Sequence, residues 1–146
     1  MQPSHFFTPE QKERINQAIR DAELNTSGEV RVHLELKCKG SALDRAAYLF
    51  EKLSMHKTAL RNGVLFYLAV DDHKFAILGD AGINAVTAED FWDHIRNKVM
   101  EEFLQGRFAA GLETGIRMAG EKMKEHFPYL EGDINELPDE ISFGEQ

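Results

Sequence analysis

Arg61-Asn62-Gly63-Val64-Leu65-Phe66-Tyr67-Leu68-Ala69-Val70-Asp71-Asp72-His73-Lys74-Phe75-Ala76-Ile77-Leu78-Gly79-Asp80-Ala81-Gly82-Ile83 is the stretch that decides the fold. Val64 to Val70 is apolar at every position, which suits a central strand covered on both faces. Asp71-Asp72-His73-Lys74 supplies hairpin chemistry, and Phe75 to Leu78 reads as an antiparallel return. Gly79-Asp80-Ala81-Gly82 then reads as a loop.

The flanks complete an α/β pattern. Upstream, Thr8-Pro9-Glu10-Gln11 is a helix start, with a capping Thr, a Pro at the first helical position and a Gln that closes a capping box. Ile15, Ala18, Ile19 and Ala22 recur at helical spacing, and the helix is expected to end near Asn25. Glu29 to Lys37 alternates. Val30, Val32, Leu34 and Leu36 face one way; Glu29, Arg31, His33, Glu35 and Lys37 face a wetter side, as in a strand near a sheet edge. Lys39-Gly40-Ser41 turns into a helix over 42–55 with Leu43, Ala46, Ala47, Phe50 and Leu53 inward. Downstream, Thr87-Ala88-Glu89-Asp90 starts a helix whose core face is Phe91, Trp92, Ile95, Val99 and Phe103. Gln105-Gly106 breaks it, and a last helix runs over 108–126 until Pro128. The order α-β-α-β-β-α-α predicts an α/β chain: a three-layer α/β/α sandwich with a small mixed sheet and a right-handed crossover between its parallel strands.

Composition narrows the function classes. A chain of 146 residues fits one domain. The net charge of −8 disfavours nucleic acid, which needs a cationic patch. Six of the 25 acidic residues fall in 127–146, where there is no Lys or Arg, so the rest stands at 19 acids against 17 bases. Residues 1–128 are therefore expected to form the domain and 129–146 an acidic, flexible C-terminal tail. No apolar run approaches the ~20 residues that span a bilayer. The opening Met1-Gln2-Pro3-Ser4-His5-Phe6-Phe7 has no leader pattern, which points to the cytoplasm. The single Cys38 excludes an intrachain disulfide.

Several pieces together resemble the TPM domain, a family found in thylakoid-lumen photosystem-repair proteins and many bacterial proteins. They are Gly28-Glu29-Val30-Arg31-Val32, Asn62-Gly63-Val64-Leu65, Gly79-Asp80-Ala81-Gly82-Ile83, Phe108-Ala109-Ala110-Gly111-Leu112 and Phe127-Pro128. The resemblance covers roughly residues 6–128. It implies an α/β/α sandwich, binding of a divalent cation (Ca²⁺ or Mg²⁺), and a phosphatase activity. Many family members carry an export signal and a membrane helix, and this sequence shows neither pattern, as expected of a soluble bacterial branch.

The predicted topology sorts the acids. The parallel strands begin at Glu29 and Gly63, and the antiparallel strand delivers Gly79-Asp80 to the same end of the sheet. Glu29, Asn62, Asp80, Glu89 and Asp90 are therefore expected to converge, a set of oxygen donors that suits a hard cation. Asp71 and Asp72 fall at the opposite end, as a solvated turn or a weaker second cation site. An EF-hand loop counted from Asp71 closes on Gly82, and from Asp80 on Phe91, where neither offers the closing Glu. A cysteine phosphatase would need an Arg where Asp44 stands; Arg45 comes one residue too late. No zincin pattern of His residues occurs. His33 is expected on the exposed face of its strand, titrating near neutral pH. Cys38, between Lys37 and Lys39, is expected to be an ordinary thiol at a strand end, with the two lysines available to lower its pKa. The reading is a divalent-cation-binding, non-catalytic binding or assembly module, with another protein as a second partner class. Its alternative is a metal-dependent phosphatase acting on phosphomonoesters, in which the ion activates water and neutralises phosphate oxygens.

Overall fold

The structure, a computed structural model, describes residues 2–129 and 141–144. The all-apolar run becomes strand β2, Gly63–Ala69, buried at every position. It pairs in parallel with β1, Glu29–Glu35, and antiparallel with β3, Lys74–Gly79. Helix α1, Pro9–Asn25, precedes β1, and α2, Ala42–Lys52, makes the crossover between β1 and β2. After β3 come a short α3, Ala81–Asn84, then α4, Phe91–Leu104, and α5, Phe108–His126. A two-residue strand β4, Ser142–Phe143, completes a four-stranded sheet of order β3-β2-β1-β4.

Strand alternation builds two unequal cores. On one face Val30, Val32 and Leu34 of β1, Val64, Phe66 and Leu68 of β2, and Phe75 and Ile77 of β3 pack with apolar residues of α1, α4 and α5. On the other, Leu65, Tyr67, Ala69 and Ala76 pack against Ala46, Leu49 and Phe50 of α2 and against Met55. The predicted mixed α/β architecture with helices on both faces is therefore what forms. Thr8 caps α1 as its sequence indicates: the Gln11 N–H donates to Thr8 Oγ1 at 3.1 Å and the Thr8 N–H to Gln11 Oε1 at 2.9 Å. Such a cap contributes about 1 kcal/mol.

Four local expectations change. First, β1 is interior to the sheet, because β4 pairs with it in parallel, His33 opposite Ser142 and Leu34 opposite Phe143. On its second face Glu29, His33 and Glu35 are also buried, Arg31 is half-buried, and only Lys37 is exposed. Second, α2 stops at Lys52, because Ser54 takes a left-handed φ of 61°. Leu43 lies on the outer side of α2, 53% exposed. Third, α4 begins after Asp90, because the Thr87 hydroxyl donates to Ile83 O at 3.1 Å and closes the preceding turn. Fourth, the expected boundary after residue 128 does not end the folded part. Ile141 is buried and β4 joins the sheet. The tail reading for 130–140 and 145–146 lies outside the described residues.

Candidate functional site

Three strand ends meet where the sequence places its first group of acids. Glu29 stands opposite Gly63, and Val64 opposite Gly79. The Glu29 N–H donates to Asn62 O at 3.3 Å, and the Asp80 N–H donates to Gly63 O at 3.0 Å. Glu29, Asn62 and Asp80 are thus neighbours along the backbone ladder, and all three are buried, at 2%, 1% and 7% exposure.

The loop before β2 fixes this end. Arg61 adopts φ 50°, in the left-handed region, and its N–H donates to Thr58 O at 3.2 Å. The Asn62 N–H donates to Thr58 Oγ1 at 3.2 Å, and its Nδ2 lies 3.5 Å from Ser27 Oγ. From that position Arg61 reaches across to Asp80: Nε donates to Oδ2 at 2.7 Å and Nη2 to Oδ1 at 2.8 Å. The Ala81 N–H also donates to Asp80 Oδ1 at 2.7 Å, so Asp80 caps α3. Asp80 holds the Arg61 guanidinium above its ordinary pKa, first through these hydrogen bonds and then through its charge. Gly82 makes the approach possible, since a Cβ there would lie 2.1 Å from Leu60 O and 2.7 Å from Arg61 O.

The other predicted donors lie elsewhere. Glu89 and Asp90 are exposed on the turn before α4, and Asp90 occupies its N-cap without a side-chain cap bond. Asp71 and Asp72 are exposed at the opposite end of the sheet. There Asp72 Oδ2 accepts from the Cys38 N–H at 2.7 Å, which ties the turn to the segment after β1. Among the described residues no three His, Cys, Asp or Glu side chains gather as a cation cluster. Of the predicted donors, Glu29, Asn62 and Asp80 share the first end through their backbones, and an ion that used Asp80 would have to replace the Arg61 guanidinium. The oxygen chemistry fits a hard cation, on condition of that exchange.

A second polar group was not visible in the sequence pattern. Glu35 Oε1 accepts from Arg45 Nε at 2.9 Å and from the Tyr67 hydroxyl at 2.7 Å, while Oε2 accepts from Arg45 Nη2 at 2.6 Å. Burial alone would push the Glu35 carboxyl up. The Arg45 and Tyr67 hydrogen bonds, with the Arg45 and His33 charges, outweigh burial and hold it below the usual range. Burial first, then the Glu35 hydrogen bond, pushes the Tyr67 phenol up. His33 is buried rather than exposed, and burial depresses it to about 4 against the opposing pull of Glu35, with Arg31 and Arg45 adding to the depression. One signal was available: a Tyr inside an otherwise apolar central strand needs a partner for its hydroxyl.

Ser142, His33 and Glu35 follow one another as a nucleophile, a base and an acid would, but their bonding is structural. Ser142 Oγ donates to Val32 O at 3.3 Å, so it accepts from His33 Nδ1 at 2.6 Å. His33 Nε2 faces Glu35 Oε2 at 3.8 Å, beyond hydrogen-bond reach. The carboxylate is already filled by Arg45 and Tyr67, and no basic nitrogen faces the serine proton. Cys38 is likewise buried, its Sγ 3.8–3.9 Å from the carbonyls of Lys39, Gly40 and Ser41.

A groove of about 530 Å³ runs along the free side of β3 between α2 and α4, bounded by Leu43, Ile77, Glu89, Trp92, Asp93 and Arg96. Trp92, expected in the core, is half-buried on its wall. The indole covers Gly79, where a Cβ would meet Cζ2 at 2.4 Å, and its Nε1–H donates to Asn84 Oδ1 at 2.8 Å.

The fold and the loop motifs define a TPM domain: the family's model matches residues 1–122, and the chain belongs to that family. It is similar to the BA42 protein of the psychrophilic bacterium Bizionia argentinensis, solved by NMR, with 50% identity, a TM-score of 0.90, and coverage of 96% of this chain and 97% of that one. The N-terminal domain of the cg2496 protein from Corynebacterium glutamicum shares the fold at 12% identity, with a TM-score of 0.64 over 93% of this chain and 80% of that one. Among curated proteins no sequence matches. No helix among the described residues is long and apolar enough to cross a membrane.

Proposed function

We propose that this chain is a non-catalytic TPM-type binding module that takes a divalent cation, Ca²⁺ or Mg²⁺, at the strand-start end of its sheet. The observation that carries the reading is the adjacency of Glu29, Asn62 and Asp80 at three neighbouring strand ends. They supply two carboxylates and an amide, with loop carbonyls close by, which is the donor chemistry that hard cations select. Arg61 serves as the resident countercharge of Asp80 and yields to the ion. Membership of the TPM family supports the ion on the strength of what that family implies. Asp71 and Asp72 make a weaker second position, because Asp72 is already engaged with the Cys38 N–H.

Calorimetric titration of the metal-free chain with CaCl₂ and then MgCl₂, alongside Asp80→Asn, tests this. Saturable binding to the native chain that Asp80→Asn weakens supports the module. Metal-dependent turnover of p-nitrophenyl phosphate in the same samples, abolished by Asp80→Asn, would replace it with the metal-dependent phosphatase reading. No saturable heat below millimolar ion would end both.

A further inference from the structure

The two lateral edges of the sheet are treated differently. The edge beside β1 is closed by the chain itself: β4 pairs with it, and the Gly144 N–H donates to Leu34 O at 2.7 Å. The edge of β3 carries no strand among the described residues.

Register shows what that edge offers. The Asp80 N–H bonds Gly63 O, flanking the Val64–Gly79 pair. The alternation of an antiparallel ladder then turns the backbone groups of Leu78 and Ala76 toward β2, and those of Phe75, Ile77 and Gly79 outward. Gly79 O is taken by Asn84 Nδ2 at 2.9 Å. Phe75 and Ile77 line the groove between α2 and α4 and are 5% and 7% exposed, so the surface they keep there is narrow and lies along this outward edge. Leu43 and Trp92 give it apolar walls, and the exposed Glu89 and Asp93 outnumber the single Arg96 along it. An open strand edge flanked by helices is the form in which extended peptides are captured, backbone pairing supplying affinity and wall side chains supplying selectivity. Left bare, such an edge is a template for unwanted pairing.

We propose that the β3 edge is a strand-addition site for an extended segment of a partner protein carrying basic side chains toward Glu89 and Asp93. It goes beyond the ion reading and needs none of Glu29, Asn62 or Asp80. The test uses the ¹⁵N-labelled full chain in EDTA, titrated with a capped peptide of alternating lysine and valine and with its glutamate–valine counterpart. Saturable shifts at the Phe75 and Ile77 amides and the Trp92 indole N–H are expected. The lysine peptide should bind about tenfold more tightly, the order expected for two partly solvated charge pairs. The Glu89→Lys/Asp93→Lys variant, altered only at exposed positions, should reverse the preference. Absence of saturable shifts, equal affinity for the two peptides, or shifts centred on β1 and β4 would overturn the proposal. Concentration-dependent shifts at Phe75 and Ile77 without peptide would also overturn it, in favour of a second copy of the chain as occupant.

Discussion

Arg61 grips Asp80 through both carboxylate oxygens, at 2.7 and 2.8 Å, from a left-handed backbone position on the loop that leads into β2. The carboxylate is buried and the guanidinium is half-exposed, so the pair is a cover over the strand-start end. Replacing the guanidinium leaves Asp80 with only the Ala81 N–H and its own loop. Arg61→Gln is therefore expected to tighten Ca²⁺ binding by about fivefold, the upper end for an exposed ion pair. Calorimetry checks it; unchanged or weaker binding would separate Arg61 from the ion.

Gly82 is expected to be the least replaceable glycine of the loop. A Cβ there meets backbone, the Leu60 and Arg61 carbonyls, which cannot swing aside as a side chain can. Gly82→Ala should cost about 3 kcal/mol in urea unfolding, at the upper end of overpacking costs. Gly79→Ala should cost less, because it displaces the half-exposed indole of Trp92, and the displacement should shift tryptophan emission.

The mixed α/β architecture, the parallel β1–β2 and antiparallel β2–β3 pairings and the helices on both faces were legible in alternation and turn chemistry, as was the arrival of Glu29, Asn62 and Asp80 at one end of the sheet. What the pattern misjudged was the second face of β1. Glu29, His33 and Glu35 look solvated in sequence because each is polar, yet all three are buried; Arg45 and Tyr67 bond Glu35, and Ser142 of the neighbouring β4 bonds His33. Short strands such as Ser142–Phe143 leave no periodicity to read. The Arg61–Asp80 pair was equally hidden, since residues 19 apart in sequence meet only when β2 and β3 are in register.

His33 makes the fold acid-sensitive. Its folded pKa, about 4, lies below the ordinary value of 6.5, so the unfolded chain binds more protons between these values. Stability is then full above pH 6.5 and falls as pH drops toward 4, by roughly 3 kcal/mol in all. Urea unfolding at a series of pH values checks this, and His33→Gln should flatten the slope in that window whatever its effect on baseline stability.

Tyr67→Phe tests the Glu35 network. The phenol supplies one of three hydrogen bonds to a buried carboxylate, and its loss should cost about 2 kcal/mol at neutral pH. Glu35 is held below its ordinary pKa, so its contribution is present above that value and is lost as pH falls through the folded value. The variant should narrow that loss, and carboxyl titration by NMR should show the Glu35 pKa rising.

The most direct test of the ion site is an amide-resolved titration of the metal-free chain with Ca²⁺ and then Mg²⁺. Saturable shifts centred on Gly28-Glu29, Asn62-Gly63 and Gly79-Asp80, with the Arg61 Nε–H moving as it leaves Asp80, are the predicted result. Shifts confined to Asp71 and Asp72, or no saturable shift below millimolar ion, would contradict it.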